Sequence, residues 1–522
     1  MNLDRVEILI AMCCYMAAVI VIGLVFARRA NQSTENYFLG GRSLGPWIAA
    51  MSAEASDMSG WLLMGLPGVA YWCGLADAAW TAIGLALGTY INWLLVARRL
   101  RSYSVVAGDA ITVPEFFSAR FKEKKKVLLT ISAVFILVFF TVYASSCFVT
   151  CGKLFSTLFG LSYHSMMIAG AVFVIFYTLI GGFLAESTSD FMQAIVMIFA
   201  LVVILGSGTA AAGGPAAVAQ NIKNIPGFVS FFGIAQPVVQ DGVQQVANGV
   251  PLFGAAAQYG LITIISTLSW GLGYFGMPQV LLRFMAIRKL SELKKSRRIA
   301  TTWCLVSLVC AVLIGLVGRS LYPAALTTSA TAENVFILLA TNLLPPLLAG
   351  IVMAGILAAT ISSSDSYLLI AASAFAKNIY QGVLKKNASD KEVLWVSRVM
   401  LLAVSAVGIV IALDENSVIF TLVAFAWAGF GATFGPVMLT SLFWKRTTWR
   451  GAVAGMVTGA VSVFVWRLLI KPMGGIFGIY ELLPAFLASL AMIVIVSLLD
   501  KEPSAEIEAE FDEAKRLATA GD

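Results

Sequence analysis

The sequence predicts an all-α membrane protein with about thirteen transmembrane helices. Of its 522 residues, 59% are hydrophobic and only 12% are charged, whereas a soluble domain has about a quarter of its residues charged. Apolar runs of about 20 residues, the length that spans a bilayer, recur along the whole chain. Because lipid offers no hydrogen-bonding partners to the backbone, we expect these runs to form helices.

The first apolar run, residues 6–27, is expected to be a retained helix and not a cleaved signal peptide. It is longer than the apolar core of a signal peptide, and it ends at Arg28 and Arg29 without a small-residue cleavage pattern. The predicted spans are residues 6–27, 44–73, 75–97, 127–152, 165–184, 188–210, 256–284, 298–319, 346–374, 393–413, 417–444, 450–470 and 480–499.

The distribution of lysine and arginine predicts which side of the membrane each connection faces. Basic residues concentrate in cytoplasmic loops, and alternate connections of this chain hold all but six of its 35 basic residues. The six on the other side are Arg5, Lys153, Lys223, Arg319, Arg467 and Lys471. We therefore expect the N-terminus outside and the C-terminus in the cytoplasm. The net charge of +7 then reflects topology and not nucleic-acid binding.

The polar segments between and after the spans predict little independent structure. Residues 211–255 form the longest outer connection, and residues 320–345 are expected to carry a short helix over the outer mouth. The tail, residues 501–522, is acidic with helical spacing of its apolar residues, and we expect a solvated cytoplasmic helix. The chain is thus a single transmembrane domain, residues 1–500, followed by this polar tail.

The cysteine and histidine content disfavours several functional classes. The seven cysteines fall mostly in apolar runs and show neither CxxC nor Cys/His spacing, so neither a disulfide framework nor a zinc site is supported. The only histidine, His164, lies near an outer boundary, which argues against a histidine proton relay. The sequence has no GxxxxGK[ST] phosphate loop, so we expect no ATP-driven pumping.

The segment from Ser52 to Trp61, SAEASDMSGW, is the strongest local signal for a functional site. It places Asp57, several serines and Gly60 within an apolar span, and an ionisable residue at that depth is costly and usually functional. Small polar residues beside a glycine are also typical of a discontinuous helix, whose free carbonyls coordinate a cation. The alternative is a helix–helix contact in which small residues allow close packing.

A second interrupted span reads SWGLGYFGMP from Ser269 to Pro278. Its glycines and proline predict a broken or strained helix. Trp270, Tyr274 and Pro278 recur every four residues and share one broad face, which suits a small amphiphilic solute with an apolar ring or chain. The alternative is an aromatic packing face or an interfacial belt.

The third segment reads AATISSSDSY and ends at Tyr367. Four of its residues share one helix face at i, i+3, i+4 and i+7, and they are Ala359, Ser362, Ser363 and Ser366. Oxygen ligands of this kind suit a hard cation such as sodium. Hydroxyl stripes also join ordinary membrane helices, but the adjacent Asp365 favours a stripe that faces an ion, water or a charged partner.

Two single residues are weaker candidates. Asp190, just inside the span 188–210, suits an inner-side cation stop, or it is an N-terminal acid favoured by the helix dipole. Tyr143, in the run 127–152, suits a pocket wall, although a packed tyrosine is commoner.

Five segments of the chain resemble the sodium/solute symporter family. They are GGRSLGP from Gly40, SAEASDMSGWLLMGLPG from Ser52, YTLIGGF from Tyr177, WGLGYFGMP from Trp270 and AWAGFGATFGP from Ala426. The resemblance extends over about residues 6–500 and implies a leucine-transporter-type fold, a five-plus-five inverted repeat. The implied parts are an extra first helix (6–27), a first repeat (44–210), an inverted second repeat (256–444) and two final helices (450–499).

The resemblance also implies roles for individual residues. The implied sodium ligands are the carbonyls of Ala55, Met58 and Ala359 and the hydroxyls of Ser362 and Ser363. The implied proline pocket consists of Tyr143, Trp270, Tyr274 and Pro278, with the substrate carboxylate and amine near Ser56 to Gly60. The residues implied in ion coupling are Asp57, Arg42 and Asp190. A second sodium site of some relatives falls on Asp365 and Ser366, where the aspartate replaces a serine.

The function that the resemblance implies is secondary active symport, which couples sodium entry to L-proline uptake by alternating access in a bacterial inner membrane. Sodium is then the co-transported ion, and we expect neither an organic cofactor, nor an obligatory protein partner, nor an enzymatic reaction. Asp365 leaves the number of sodium ions open. The alternatives are a symporter for another amino acid, a sugar or a vitamin and, from another class, a solute sensor or a channel.

Overall fold

The computed structural model describes residues 3–30 and 33–520, which are mostly helical. The helices are α1 (Leu3–Ala30), α2 (Thr34–Leu39), α3 (Pro46–Gly60), α4 (Leu66–Cys73), α5 (Leu75–Ile91), α6 (Ala97–Val106), α7 (Val113–Arg120), α8 (Val127–Phe159), α9 (Tyr163–Ala211), α10 (Pro215–Ile222), α11 (Leu261–Leu268), α12 (Pro278–Ala286), α13 (Leu293–Leu321), α14 (Ser329–Ala332), α15 (Val335–Leu343), α16 (Pro346–Ser373), α17 (Asp390–Ile411), α18 (Ile419–Phe443), α19 (Trp449–Val465), α20 (Leu482–Leu499) and α21 (Ala505–Ala520). Short 3₁₀ or π-helical stretches are Gly40–Arg42, Trp61–Gly65, Asn92–Val96, Ser269–Gly276, Leu290–Glu292, Ala374–Leu384, Trp466–Ile470, Lys471–Met473 and Gly475–Gly478. The parts of the predicted domain and tail at residues 1–2, 31–32 and 521–522 lie outside the described residues.

The predicted membrane spans correspond to helices of the structure. Eleven described helices are long and apolar enough to cross a membrane, and the bent pair Leu261–Gly276 and Pro278–Ala286 makes twelve. The remaining predicted span, residues 44–73, consists of α3, a π-helical turn and α4, with an interruption at Ser59. The prediction of an all-α membrane protein with about thirteen helices is therefore confirmed.

Helix α9 contains two predicted spans in one helical run. Gly182 interrupts the run with φ 64° and ψ 177°, a left-handed backbone that glycine adopts without steric penalty. The break therefore lies two residues before the predicted end of span 165–184.

The long connection between α9 and α11 contains six two-residue strands that the sequence did not predict. They are β1 (Gly233–Ile234), β2 (Val239–Gln240), β3 (Val243–Gln244), β4 (Val246–Ala247), β5 (Val250–Pro251) and β6 (Ala257–Gln258). They pair antiparallel as β1 with β6, β2 with β3, and β4 with β5. Gln244 is buried and accepts hydrogen bonds from the Arg319 guanidinium at 3.2 and 3.3 Å, which attaches the connection to α13.

Helix α16 lies at the centre of the bundle, where it contacts α1, α3, α8 and α9. Every residue from 352 to 373 is buried. Small residues permit the closest approach: a Cβ at Gly355 would lie 2.6 Å from the Cβ of Ala200 on α9. The hydroxyl-bearing face of α16 is therefore enclosed by protein on all sides and needs polar partners there.

The segments that the basic residues assign to one side of the membrane contact each other at one end of the bundle. We call this the basic end and define it by residues 98–126 and 283–298. Arg101 Nε donates to the Ile287 carbonyl at 2.7 Å, and the Arg42 guanidinium donates to the carbonyl of Met285 at 2.7 Å. The predicted grouping of these connections on a common side is consistent with these contacts.

The opposite end is joined by a buried ion pair between α8 and the segment that links α14 to α15. Lys153 Nζ lies 2.7 Å from Glu333 Oε2. The carboxylate of Glu333 also accepts the backbone amides of Ile419 and Phe420, each at 2.9 Å, and thereby caps the N-terminus of α18. The predicted helix in residues 320–345 is present as α14 and α15.

The C-terminal helix α21 packs against the basic end, whereas the sequence predicted a solvated helix. Phe511 is only 6% exposed; its ring lies edge-on to Tyr103 at 6.1 Å and 5.3 Å from the Arg120 guanidinium. Lys445, between α18 and α19, pairs with Asp512 at 2.7 Å, and this hydrogen bond raises the pKa of the lysine. Helix α21 thus connects α6 to the α18–α19 turn.

We predict that Phe511→Ala releases α21 from the basic end. Truncating a buried phenylalanine removes about 3–5 kcal/mol of packing, which exceeds what exposed ion pairs contribute. Amide hydrogen exchange over residues 505–520 should accelerate, as measured by mass spectrometry. Thr519→Ala at an exposed position of the same helix is the control. Equal exchange in the two variants would contradict the packing role of Phe511.

Candidate ion and substrate site

The first helix break falls at Ser59, within the segment where the sequence predicted a discontinuous helix. Ser59 has φ 48° and ψ −171°, and its hydroxyl accepts a hydrogen bond from the amide of Trp61 at 3.2 Å. The next residue is Gly60, and only glycine fits there, because a Cβ would lie 2.5 Å from Thr150 Oγ1 on α8. Backbone carbonyls near such a helix end lose intrahelical partners and become available to other donors or to a cation.

The second break lies between α11 and α12, where Ser269–Gly276 is 3₁₀ and the helix axis bends by 45°. Its glycines allow unusually close packing. A Cβ at Gly271 would lie 2.3 Å from the Gly84 carbonyl oxygen on α5, and one at Gly273 would lie 2.0 Å from Trp427 Nε1 on α18. The predicted interruption is therefore confirmed, and close packing explains its glycine content.

Oxygen atoms from α3 and α16 converge next to the first break. The carbonyl of Ala55 accepts hydrogen bonds from Ser362 Oγ at 2.9 Å and from Ser363 Oγ at 3.3 Å. Ser362 Oγ also lies 3.2 Å from the carbonyl of Ala359. The carbonyl of Met58, one turn after Ala55, accepts from the amide of Trp61 across the break. Four of the five oxygens that the resemblance implies as sodium ligands thus form one hydrogen-bonded group.

The hydroxyl stripe of α16 serves two different sites. Ser362 and Ser363 face the Ala55 carbonyl, as described above. Ser366, one turn further, instead contacts Glu186 and accepts from the guanidinium of Arg283 at 2.9 Å. Asp365 accepts the amide of Ser366 at 2.8 Å with Oδ1, while its Oδ2 has no hydrogen-bond partner among the described residues.

A small cavity lies beside the oxygen group, between the two breaks. Its lining residues are Asp57, Met58, Trp61, Leu85, Tyr143, Trp270, Val423 and Trp427. The cavity is small and has room for about one water molecule. Tyr143 and Trp270 were predicted to line a pocket, whereas Trp61, Leu85, Val423 and Trp427 were not.

Two further residues of the implied pocket, Tyr274 and Pro278, do not line this cavity. Tyr274 packs edge-on against Trp427 with the ring centroids 5.0 Å apart, so it supports the cavity wall. Pro278 is the first residue of α12 and is buried, but it is not among the residues that line the cavity. Trp427 Nε1 donates to the carbonyl of Trp270 at 2.8 Å, which fixes the two indole rings relative to each other.

Asp57 connects the cavity to α12 and α8. Its Oδ1 accepts from Gln279 Nε2 at 3.2 Å, and its carbonyl oxygen lies 3.3 Å from the Tyr143 hydroxyl and 3.4 Å from the Tyr367 hydroxyl. The two tyrosine rings stack at 4.2 Å. Asp57 therefore lies beside the oxygen group of α3 and α16, and its carboxylate bonds to Gln279 and not to Ser362 or Ser363.

Two residues implied by the resemblance, Ser56 and Arg42, lie elsewhere or face away from the cavity, and so does the nearby acid Glu54, to which the resemblance gives no role. Ser56 donates from its hydroxyl to the carbonyl of Ala53 at 3.3 Å within its own helix. Arg42 lies at the basic end, where its Nη2 is 2.9 Å from Asp109. Glu54 accepts from Trp93 Nε1 at 3.4 Å, and its Oε2 has no hydrogen-bond partner among the described residues.

Asp190 belongs to a separate buried ionic cluster that sequence reasoning missed. Asp190 Oδ2 accepts from Ser52 Oγ at 2.7 Å and from Arg283 at 3.2 Å, and Arg283 also pairs with Glu186. Arg283 was counted with the basic loop residues 283–298, but it lies inside α12 with 0% of its side chain exposed. Its position within the predicted span 256–284 was the available signal.

The chain is similar to known proteins over most of its length. The pattern of the sodium:solute symporter family matches residues 37–459. The chain belongs to the sodium:solute symporter family. It is 43% identical to the sodium/proline symporter of Escherichia coli (strain K12) over 510 residues, which cover 97% of this chain and 96% of that protein. It is 42% identical to the sodium/proline symporter of Staphylococcus aureus (strain USA300 / TCH1516), covering 96% and 94% of the two chains.

Solved structures show that the fold is shared with other cation-coupled symporters. A Na⁺-coupled sialic acid symporter, solved in a substrate-bound outward-open state, superposes with a TM-score of 0.74 at 17% identity, covering 95% of this chain and 99% of that one. A transporter of the nucleobase–cation symport family gives 0.51 at 13% identity, covering 92% and 100%. The implied leucine-transporter-type fold is thus confirmed, while the residue bounds of its repeats stay a prediction.

We predict that Gly60→Ala destabilises the protein through a single contact. The new Cβ would lie 2.5 Å from Thr150 Oγ1 and 2.6 Å from Thr150 Cγ2, and overpacking of this kind costs about 1–3 kcal/mol. The thermal unfolding midpoint of the purified protein should fall in Gly60→Ala and recover in part in Gly60→Ala/Thr150→Ala, where the remaining Cβ at position 150 lies 3.0 Å from the new one. Thr150→Ala alone is the matched control that completes the double-mutant cycle. Additive losses in the double variant would contradict this close contact.

Proposed function

We propose that this chain is a secondary active symporter that couples sodium entry to L-proline uptake by alternating access. The main structural support for this proposal is the group of carbonyl and hydroxyl oxygens at Ala55, Ser362 and Ser363. This group lies next to an aromatic cavity between two broken helices. Membership of the family supports symport. The two relatives at 43% and 42% identity, which match over nearly their full length, are sodium/proline symporters and support sodium and proline as the transported species.

The sodium site of this proposal is formed by the carbonyls of Ala55, Met58 and Ala359 and the hydroxyls of Ser362 and Ser363. The serine hydroxyls donate to the carbonyls of Ala55 and Ala359 at 2.9 to 3.3 Å. A hard monovalent cation placed between these oxygens accepts their lone pairs, and the hydroxyl hydrogens rotate away. Sodium then joins α3 to α16 more strongly than the two hydroxyl hydrogen bonds do.

The substrate site of this proposal is the aromatic cavity. Trp61, Tyr143, Trp270 and Trp427 provide apolar ring faces for a pyrrolidine ring. The substrate carboxylate and amine lie at the break of α3, near Ser56 to Gly60, where a helix end exposes backbone groups. Because the cavity has room for only about one water molecule, proline binding requires the aromatic walls to separate.

Coupling follows from the shared position of both sites on the broken helix α3. Sodium orders the backbone at Ala55 and Met58, and the substrate groups lie beside the same break near Ser56 to Gly60, so each raises the affinity for the other by the same factor. Asp57 lies between the proposed sodium site and the proposed substrate site. Its carbonyl accepts from the Tyr143 hydroxyl in the cavity wall, and its carboxylate accepts from Gln279 on α12. Transport needs no covalent step, so we assign no enzymatic activity.

The proposed orientation has the N-terminus outside and the C-terminus in the cytoplasm of a bacterial inner membrane. The basic end then faces the cytoplasm, in agreement with the positive-inside rule, and Arg42 and α21 lie there with it. Labelling of intact cells with an impermeant thiol reagent tests this orientation. Asp241→Cys should react and Thr519→Cys should not, and the reverse pattern would overturn the assignment.

Proline uptake into proteoliposomes of the purified chain tests the function. An inward sodium gradient should drive accumulation of labelled proline above the external concentration, and collapse of the gradient by a sodium ionophore should abolish it. Potassium in place of sodium is the control. Uptake that stays insensitive to sodium would refute symport, and stronger competition by another amino acid, a sugar or a vitamin would refute proline as the substrate.

We predict that Ser362→Ala and Ser363→Ala raise the sodium concentration for half-maximal uptake by about tenfold or more. Each removes one ligand of a charged group, a loss of about 1.5–3 kcal/mol. Ser364→Ala is the matched control because its hydroxyl bonds to Thr360 within the same helix at 2.6 Å. Asp57→Ala should likewise weaken sodium activation. Equal sodium dependence in all four variants and the wild type would remove these residues from the site.

We predict that Tyr274→Ala raises the proline concentration for half-maximal uptake while sodium activation changes little. The substitution removes the edge-to-face support of Trp427, a contact worth about 0.5–1.5 kcal/mol beyond burial. Uptake kinetics at saturating sodium measure the change, and Tyr274→Phe, which keeps the ring, serves as the control. An unaltered proline requirement in Tyr274→Ala would show that this wall does not shape the substrate site.

A further inference from the structure

A groove opens on the surface of the bundle between α3, α9 and α13, next to the basic end. It has a volume of about 460 Å³, within the range of pockets that hold a small ligand. Its wall is largely apolar and includes Trp47 and Met51 of α3, Ile198 of α9, and Arg298, Thr302 and Trp303 of α13. Among the described residues, Arg298 is the only charged one that lines it.

The groove runs from the basic end toward the middle of the bilayer. Ser296, near the start of α13, donates from its hydroxyl to the carbonyl of Pro46 at the start of α3 at 3.1 Å, so the two helices begin side by side. From Arg298 to Val306, which also lines the groove, α13 rises about 12 Å. One leaflet of the hydrocarbon core is about 15 Å thick. An extended acyl chain of a phospholipid therefore matches the groove in length.

Lys294 continues the face of α13 that lines the groove. It precedes Arg298, Thr302 and Val306 at intervals of four residues, so the four side chains lie on one face of the helix. The two cations are exposed and lie at the end of this face that is nearest the start of α13. A ligand with an anionic group and an apolar chain has the same order of charged and apolar parts as this face.

The cations at this end of the groove lack carboxylate partners. Among the described residues, no ion pair involves Lys294, Lys295 or Arg298. The neighbouring acid Glu292 is itself paired, with Arg288 at 2.6 Å. Positive side chains at a helix N-terminus oppose the helix dipole, and like charges four residues apart repel each other. An anion bound at the start of α13 would relieve both effects.

We propose that this groove binds one anionic glycerophospholipid of the leaflet at the basic end, with its phosphate on Arg298 and Lys294. Arginine pairs with a phosphate through two parallel hydrogen bonds, and basic pockets between transmembrane helices are typical headgroup sites. Trp47 is 49% exposed at the mouth of the groove, with Lys295 Nζ 5.8 Å from its ring centroid. Exposed tryptophans are enriched at this level of the membrane.

The anionic headgroup and the acyl chain have different parts in this site. Lipid tails are as apolar as the groove wall, so the chain contributes van der Waals packing and no net hydrophobic burial. The phosphate on the guanidinium then selects an anionic lipid over a zwitterionic one, because a zwitterionic headgroup also brings a positive charge to the cations.

A lipid in this groove packs against the helix that carries two proposed sodium ligands. Met51 lines the groove and precedes Ala55 by one turn on α3. Trp303 also lines the groove, and its Nε1 donates to the carbonyl of Ala194 at 3.1 Å, which joins α13 to α9. The acyl chain therefore fills the space between the first half of α3 and the two helices beside it. We expect its presence to support α3 during transport.

Lipid retention by the purified protein is the first test. Protein reconstituted in equal amounts of phosphatidylglycerol and phosphatidylcholine, then extracted into detergent, should keep one phosphatidylglycerol in native mass spectrometry. In Arg298→Gln this retention should fall about fivefold, the factor that one basic residue contributes near an anionic surface. Arg298→Lys should retain the lipid. Lys386→Gln removes an exposed lysine that does not line the groove and is the matched control.

Filling the groove tests the acyl-chain part of the site. Thr302 is exposed and lines the groove, so Thr302→Trp places an indole where the chain would lie and leaves Arg298 in place. Retention of phosphatidylglycerol should fall to that of phosphatidylcholine. Leu305→Trp adds the same ring at a position of α13 that is 52% exposed and does not line the groove. This control should retain the lipid.

The outcomes separate this inference from the proposed function. Equal retention of the two lipids by the wild type, or equal phosphatidylglycerol retention in the wild type, Arg298→Gln and Thr302→Trp, would show ordinary surrounding lipid and overturn the inference. A larger share of phosphatidylglycerol in proteoliposomes should raise the rate of proline uptake in the wild type and not in Thr302→Trp, and an equal rise in both would overturn the support of α3. Selective retention without sodium-driven uptake would refute the proposed function and leave the lipid site standing.

Discussion

The contact between the Ala55 carbonyl and the hydroxyls of Ser362 and Ser363 is the interaction on which the rest of this structure depends. A backbone carbonyl buried away from water needs a partner, and the break at Ser59 removes regular helical ones nearby. Helix α16 must therefore approach α3 closely and present oxygen atoms. Its enclosed position between α1, α3, α8 and α9 and its small residues follow from that need.

Charge burial imposes the second constraint. Arg283, Glu186 and Asp190 lie in a region that is otherwise apolar, and removing one member of such a group leaves an uncompensated charge that costs about 3–5 kcal/mol. The cluster lies one helical turn from the proposed sodium ligands on α16, through Ser366. The buried ionic cluster and the oxygens proposed to bind sodium are thus adjacent on a single helix face.

Alternating access requires the two ends of the bundle to loosen in turn, and each end has its own polar link. At one end Glu333 joins Lys153 on α8 to the N-terminus of α18. At the basic end Arg42 reaches the Met285 carbonyl after α12, and α21 links α6 to the α18–α19 turn. The small aromatic cavity, the proposed substrate site, lies between these links.

The sequence by itself determined the membrane architecture, the two broken helices and the stripe of Ser362 and Ser363. Apolar length, glycine and proline positions and helical spacing are local properties, so they are readable along one chain. The tertiary structure alone decided that Arg283 lies inside the protein, that Ser366 serves the ionic cluster, and that Trp61 and Trp427 line the cavity. It also decided that Phe511 packs the tail helix against the basic end. These outcomes depend on which side chains from distant segments meet, and a buried charge or an aromatic wall is specified only by its neighbours in space.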